Sequence, residues 1–338
     1  MTNSAAGTSG VIPLTEVPAV RPTFADVQAA RKFIAPYLPR TPLVRSEKLS
    51  ALLGCDYYIK CENTQPIGAF KVRGGVNLVG TDESVRTAPG IVTASTGNHG
   101  QSIAYGGRLF GVPVIIYAPA ENVNHAKVQA MRDLGAEVRL HGRDFDEARL
   151  ETERVAKQEG YRYVHSANEA KLIAGVGTIG LEILEELPDI DVIVAPAGGG
   201  SCASGNCIVA KHLNPNVQVI AVQSEAAPAM WHAWKNRSLD EYPTMKTEHE
   251  GLATRVPFEM PLKILWELLD EFLLVSDAEI NDAIRLLATN AKQLSEGAGA
   301  ASLAGAIKLR EQLAGKQVVG ILTGGNLPLE RFAKLISS

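Results

Sequence analysis

The feature that most constrains this chain is an alternation of short apolar runs, most of them bounded by glycine, proline or aspartate, with longer stretches of helical spacing. Ile91 to Ala94, Val112 to Ala118, Glu137 to His141, Val192 to Pro196, Val217 to Val222, Phe272 to Ser276 and Gln317 to Leu322 read as strands. Gly100 to Phe110, Asn124 to Leu134, Phe145 to Gln158, Leu172 to Glu186 and Asp277 to Leu294 read as helices. Strands with little polar alternation must be covered on both faces, and intervening helices do that when the strands run parallel. The expected class is α/β, with mostly parallel sheets flanked by helices. In such sheets ligands gather beyond the carboxyl ends of the strands, so the loops leaving these runs are where chemistry is to be sought.

Composition removes whole classes. With 46% hydrophobic and 21% charged residues over 338 positions, the chain is neither disordered, collagenous nor a coiled coil. Its 33 basic against 37 acidic residues, net −4, give no general attraction to nucleic acid or to an anionic membrane, so any anion site is local. The longest strongly apolar stretch, Val112 to Ala120, is far short of the ~20 residues that cross a bilayer. Up to about Pro22 the first basic residue is Arg21, which reads as a flexible lead-in to a cytoplasmic protein rather than a signal peptide. Cys55, Cys61, Cys202 and Cys207 form neither a disulfide scaffold nor zinc spacing, and no HExxH occurs, so buried thiols and no structural metal are expected. The polar segment Ser238 to Pro257 shows no period and reads as a loop of the kind that lies over a site.

Several junctions offer chemistry. A turn at Pro66 and Gly68 delivers Phe70 and Lys71 to a helix start, where an apolar ring can desolvate the amine and lower its pKa; a solvated surface lysine is the plainer alternative. Ser95-Thr96-Gly97-Asn98-His99, between a strand and a helix, sets hydroxyl, amide and N–H donors in a geometry suited to a carboxylate, although Ser95 or Thr96 as an ordinary helix cap would look the same. Gly198-Gly199-Gly200-Ser201 lets successive amides converge on an anion at a helix N-terminus. Thr323, after the last strand, offers a neutral hydroxyl to the crevice. Glu296 precedes a helix of glycine and alanine whose alternative reading is close helix packing. Gly175 to Gly180 matches G-x-G-x-x-G, but no strand feeds it and no ribose-binding acid follows, so a dinucleotide site is not expected there.

In this order the segments resemble the fold-type II pyridoxal-phosphate enzymes, in the threonine and serine dehydratase branch, over about residues 25 to 338. The resemblance implies a two-domain fold of the tryptophan synthase β type, with a large cofactor-binding domain from 1–83 and 163–338 and a small mobile domain from 84–162. It implies pyridoxal 5'-phosphate held by Lys71 as a Schiff base beside Phe70, with Asn98 on the ring hydroxyl and Thr323 at the pyridine nitrogen. Gly198, Gly199, Gly200, Ser201 and the Cys202 amide would cradle the phosphate, with Gly251 and Glu296 flanking the cofactor. Ser95, Thr96, Gly97, Asn98 and His99 would hold the substrate carboxylate. Lys71 and Thr96 are the catalytic candidates, Thr96 because it stands where related racemases carry a serine acid.

The implied reaction is β-elimination from L-threonine or L-serine to a 2-oxo acid and ammonia, Lys71 taking the Cα proton and the cofactor phosphate protonating the leaving hydroxyl. Lys71-Val72-Arg73-Gly74-Gly75 is similar to dehydratases and racemases rather than to cysteine synthases, and only 12 residues follow Asn326, as in the catabolic type. Two departures stand out: Ser201 occupies the fourth glycine position, and Gln223 to Ala229 holds only Glu225 where serine-racemase-like members place an acidic metal site, so no divalent metal is expected. Ser224 to Ala229 and Glu250 to Arg255 resemble a branch that includes hydroxyectoine-utilisation dehydratases. Phenylserine, hydroxyaspartate or a hydroxyectoine-derived substrate therefore stands beside threonine, with an amino-acid racemase or a silent cofactor-binding protein as further alternatives. A small amino-acid substrate, a homodimer, and no nucleic-acid or membrane partner complete the expectation.

Overall fold

The strands are β1 (Leu43–Arg45), β2 (Asp56–Cys61), β3 (Ile91–Ala94), β4 (Val114–Ala118), β5 (Glu137–Leu140), β6 (Arg162–Tyr163), β7 (Val192–Pro196), β8 (Gln218–Ser224), β9 (Glu271–Val275) and β10 (Gln317–Leu322). They form two sheets, a six-stranded one in the order β1-β2-β10-β7-β8-β9 and a four-stranded one in the order β5-β4-β3-β6. Among the described strands only the β1–β2 pair is antiparallel. The structure, a computed structural model, describes residues 20–337 apart from 122 and 144, so nearly all of the lead-in before Pro22 lies outside the described residues.

The central strands are buried on both faces, as their apolar composition requires. In β7, Ile193 and Ala195 join one core with Val319, Ile321 and the Ala170–Glu186 helix, while Val192 and Val194 join another with Val318, Leu322 and the Gly297–Lys308 helix. The period of two along each strand is what divides them. The smaller sheet repeats the device, Ile91 and Ile116 packing on one side, Val92 and Ile115 on the other.

Strands β1, β2 and β6 were not expected, and β2 shows why. Lys60 interrupts its apolar pattern yet is fully buried, its Nζ donating to Glu182 Oε2 and to the Thr41 carbonyl, both at 2.7 Å. It belongs to a buried cluster in which Arg73 also pairs with Glu62 (2.7 Å) and Glu182 (2.8 Å). The helix expected from Asp277 to Leu294 stops at Leu286, then widens into a π turn over Leu287–Ala291 that Lys292 ends at φ 57°.

Gly175 to Gly180 lies inside the Ala170–Glu186 helix, not at a strand-to-helix turn. Its glycines are crossing points. A Cβ on Gly175 would sit 2.8 Å from the Gly74 Cα, and one on Gly205 2.8 Å from the Gly177 nitrogen. Backbone-to-backbone contact therefore draws the Lys71–Thr81 and Ser201–Leu213 helices onto one central helix. That brings Lys71 and the glycine-rich loop to the same end of the stack.

Candidate active site

The carboxyl ends of both sheets face a cavity of about 1460 Å³, reached by Ala94 and Ala118 from the smaller sheet and Pro196 and Thr323 from the larger. Every site residue singled out in the sequence lines it: Phe70, Lys71, Ser95, Thr96, Gly97, Asn98, His99, Gly198, Gly199, Gly200, Ser201, Cys202, Gly251, Glu296 and Thr323. The Ser238 to Pro257 segment, irregular except for a turn of 3-10 helix at Glu250–Leu252, covers one side of the cavity.

Lys71 opens its helix directly after Phe70, whose amide is tied to the Thr323 carbonyl at 2.9 Å, so the last strand pins the lysine in place. Its Nζ donates to the Ser166 carbonyl (3.2 Å) and to Ser201 Oγ (3.1 Å), and lies 5.4 Å from the Phe70 ring centre. Burial lowers its pKa to about 8, so an appreciable share of the amine is neutral near physiological pH. Burial pushes the neighbouring Cys202 thiol up, which leaves its backbone amide as the group it offers.

Opposite the lysine, the loop after β7 has the shape of an anion cradle. Gly198 is packed against the Gly251 carbonyl, a Cβ on Gly199 would meet the Phe258 ring at 2.8 Å, and Gly200 sits at φ 83°. Among the described residues no side chain caps the Ser201–Leu213 helix, so its first amides are available to an anion. Ser201, the departure from a fourth glycine, uses its hydroxyl to accept from Lys71 and so joins amine to cradle.

Ser95 organises the second loop by accepting from the Gly97 amide (3.1 Å) and the Gly100 amide (2.8 Å). Gly97, not Ser95 or Thr96, is the N-cap residue; Ser95 satisfies the Gly100 amide from further upstream, and the Asn98 and His99 amides carry no bond among the described residues. The His99 ring turns inward. Thr93 Oγ1 donates to the Val164 carbonyl (2.7 Å), so His99 Nε2, 2.9 Å from that oxygen, carries the ring's proton. With its ring proton spent, His99 offers a carboxylate its amide alone.

Asn98 Nδ2 donates to Glu296 Oε1 at 2.6 Å and its Oδ1 accepts from Asn326 at 2.8 Å, leaving one amide hydrogen for a ligand. Burial raises the Glu296 pKa against the opposing pull of Lys127 and Asn98. Thr323 is 2% exposed, lines the cavity and makes no side-chain hydrogen bond among the described residues. Sequence reasoning missed Lys127, His165 and Ser166, which also line the cavity. No spacing signal marks them, because each is placed by chain folding back from the smaller sheet.

Outside the cavity, Glu248, His249 and Asp277 bring possible metal-ligand atoms within 4.8 Å of one another. Asp277 already accepts from Ser224 (2.7 Å), Thr247 (2.7 Å) and the Glu248 amide (2.9 Å), and Glu248 pairs with Arg331, so the trio is explained by its own bonds.

Residues 34–324 match the family described as pyridoxal-phosphate dependent enzyme. The chain belongs to that family. It is 36% identical over 319 residues to the L-threonine ammonia-lyase of Thermotoga maritima, covering 93% of this chain and 78% of the relative. Threonine deaminase isoform 2 of Solanum lycopersicum superposes with a TM-score of 0.88 at 28% identity, over 100% of this chain and 99% of that one. Maize serine racemase gives the same TM-score, 0.88, at 28% identity over 94% and 98%. The residues present suit the family's cofactor: a helix N-terminus behind glycines for a phosphate, a partly neutral lysine beside it, and on the cavity wall the Thr323 hydroxyl, without a partner among the described residues.

Proposed function

We infer that the chain is a pyridoxal-phosphate-dependent ammonia-lyase that converts L-threonine or L-serine into a 2-oxo acid and ammonia. The observation that carries this is the position of Lys71, held at 3.1 Å to Ser201 in the phosphate cradle while facing an amide-lined loop fit for a carboxylate. When bound, the cofactor would supply an electron sink for the charge left at Cα. The chain's own residues do the rest. Lys71 Nζ, partly neutral, is the base that removes and holds the Cα proton. The amides of Asn98 and His99 orient the substrate carboxylate, and the Gly198 to Cys202 segment holds the phosphate. Thr323 sets a neutral oxygen where the pyridine nitrogen would stand, which stabilises a ring cation far less than a carboxylate and so favours loss of the β-substituent over return of the proton.

We propose, too, that the part built on the smaller sheet, about residues 84–162, closes over the substrate. Lys127 and Glu250, from opposite sides of the cavity, already form an ion pair. A cytoplasmic homodimer stays in this reading on the strength of the family resemblance. The experiment is direct: cofactor-loaded protein is assayed for 2-oxobutanoate from L-threonine and pyruvate from L-serine, with the D-amino acids measured alongside. Oxo-acid formation exceeding racemisation is expected. Racemisation without oxo acid would replace this reading with the racemase one.

A further inference from the structure

The half-buried imidazole of His165 takes no part in that chemistry. His165 follows β6, at the end of the smaller sheet, and its ring lines the cavity. The amides of Ala167 and Asn168 both donate to its Nδ1, each at 3.0 Å. A ring nitrogen that accepts N–H bonds carries no hydrogen, so the proton of the neutral ring sits on Nε2. No group among the described residues accepts from that Nε2. Phe258 packs edge-on against the ring, with centroids 5.1 Å apart, and fixes its plane. The carbonyl of the next residue, Ser166, is one of the two acceptors of Lys71 Nζ. A donor of fixed direction is therefore presented to the cavity one residue from an atom that touches the lysine.

The two anion loops are elsewhere. The phosphate cradle follows β7 and the carboxylate loop follows β3, while His165 stands on a third wall beside the base. Of the groups on a β-hydroxy amino acid, the oxygen on the β-carbon is the one those loops leave without a partner. We propose that His165 Nε2–H donates a hydrogen bond to the oxygen on the substrate β-carbon, which makes His165 a specificity-determining residue for β-hydroxy amino acids. The proposal rests on the ammonia-lyase reading and adds the group that recognises the leaving substituent. Burial first, then Arg149 and Lys71, press the pKa of His165 down to about 3, and His99 beside it is likewise held neutral. His165 therefore orients and polarises a neutral hydroxyl without surrendering a proton, and adds no charge that would select a second carboxylate.

His165→Asn separates this role from a structural one. Asparagine Oδ1 can take over the turn that Nδ1 closes on the two amides, but nothing then stands at Nε2. kcat/KM is measured for L-threonine and for β-chloro-L-alanine, whose leaving group carries no oxygen. The variant is expected to lose roughly 10- to 100-fold on L-threonine, and less than about 3-fold on the chloro compound. His165→Gln, whose side-chain amide reaches toward the Nε2 position, should recover part of the threonine preference. Equal losses on both substrates, or no loss on either, would overturn the proposal. Imidazole nitrogen spectra of the wild-type protein give a readout independent of turnover. They should show an Nε2–H ring, absent from His165→Asn, that does not titrate between about pH 5 and 9. An Nδ1–H ring, or titration near the ordinary histidine value, would overturn it as well. Wild-type protein that eliminates from neither substrate would instead remove the ammonia-lyase reading, leaving the spectral expectation to stand or fall alone.

Discussion

Lys71 would be almost wholly protonated if it stood in water, since an ordinary lysine titrates near 10.5; burial in the cavity brings it to about 8. Because the pKa is lowered, the neutral, nucleophilic fraction of the amine is already present at neutral pH and grows as pH rises through 8. The rate at which cofactor-free protein takes up pyridoxal phosphate should accordingly rise with pH, with a midpoint near 8, and level off above about 9. A rate still climbing tenfold per unit at pH 10 would show an unperturbed lysine. At this scale the sequence is informative where one residue type at one junction suffices, as with Phe70-Lys71 or Gly198 to Gly200. It is silent on His165, whose role arises from two amides folding back onto the ring, and on the ring of His99, whose proton is committed by a threonine that is itself committed to Val164.

At the scale of elements, the parallel strands and their helices are legible because both faces of β7, β8 and β10 are buried over their central residues and those residues are apolar. β2 is not, because Lys60 is solvated by Glu182 instead of water, a fact that depends on a helix more than a hundred residues away. The same cluster anchors the lysine's helix through Arg73. Burial alone would raise the Glu182 pKa, but the bonds and charge of Arg73, then of Lys60, outweigh it and bring it down to about 2. A depressed carboxylate stabilises the fold above its unfolded pKa, near 4.5, and that contribution fades as pH falls toward 2. Glu182→Gln leaves buried cations short of a partner and should cost about 3–5 kcal/mol at pH 7 in urea unfolding. The gap to wild type should narrow below about pH 4.5. A gap that stays constant from pH 7 to about pH 3 would show that the charge on Glu182 contributes nothing.

Over the whole molecule, the loop proposed for the carboxylate belongs to one sheet and the one proposed for the phosphate to the other, so the cavity is complete only while the two parts face each other. The Lys127 ammonium lies near the first loop, 3.5 Å from where a Cβ on Gly97 would be, and reaches Glu250 on the far side. Lys127→Met removes both the pair and a positive charge beside the carboxylate loop. Glu250 is 48% exposed, so the pair is worth at most about 1 kcal/mol to folding. The same energy placed on substrate binding corresponds to about a fivefold rise in KM. The expected result is that rise, with kcat changed less than about twofold and Tm nearly unaltered; an unchanged KM would remove Lys127 from substrate binding. The bonds of Lys71 carry a last consequence. Its amine is a strut, braced on the Ser166 carbonyl at one wall and the Ser201 hydroxyl at the other. Ser166 follows β6 of the smaller sheet and Ser201 follows β7 of the larger one, so a single side chain spans the two parts. A shift of either part therefore bears directly on where that amine points.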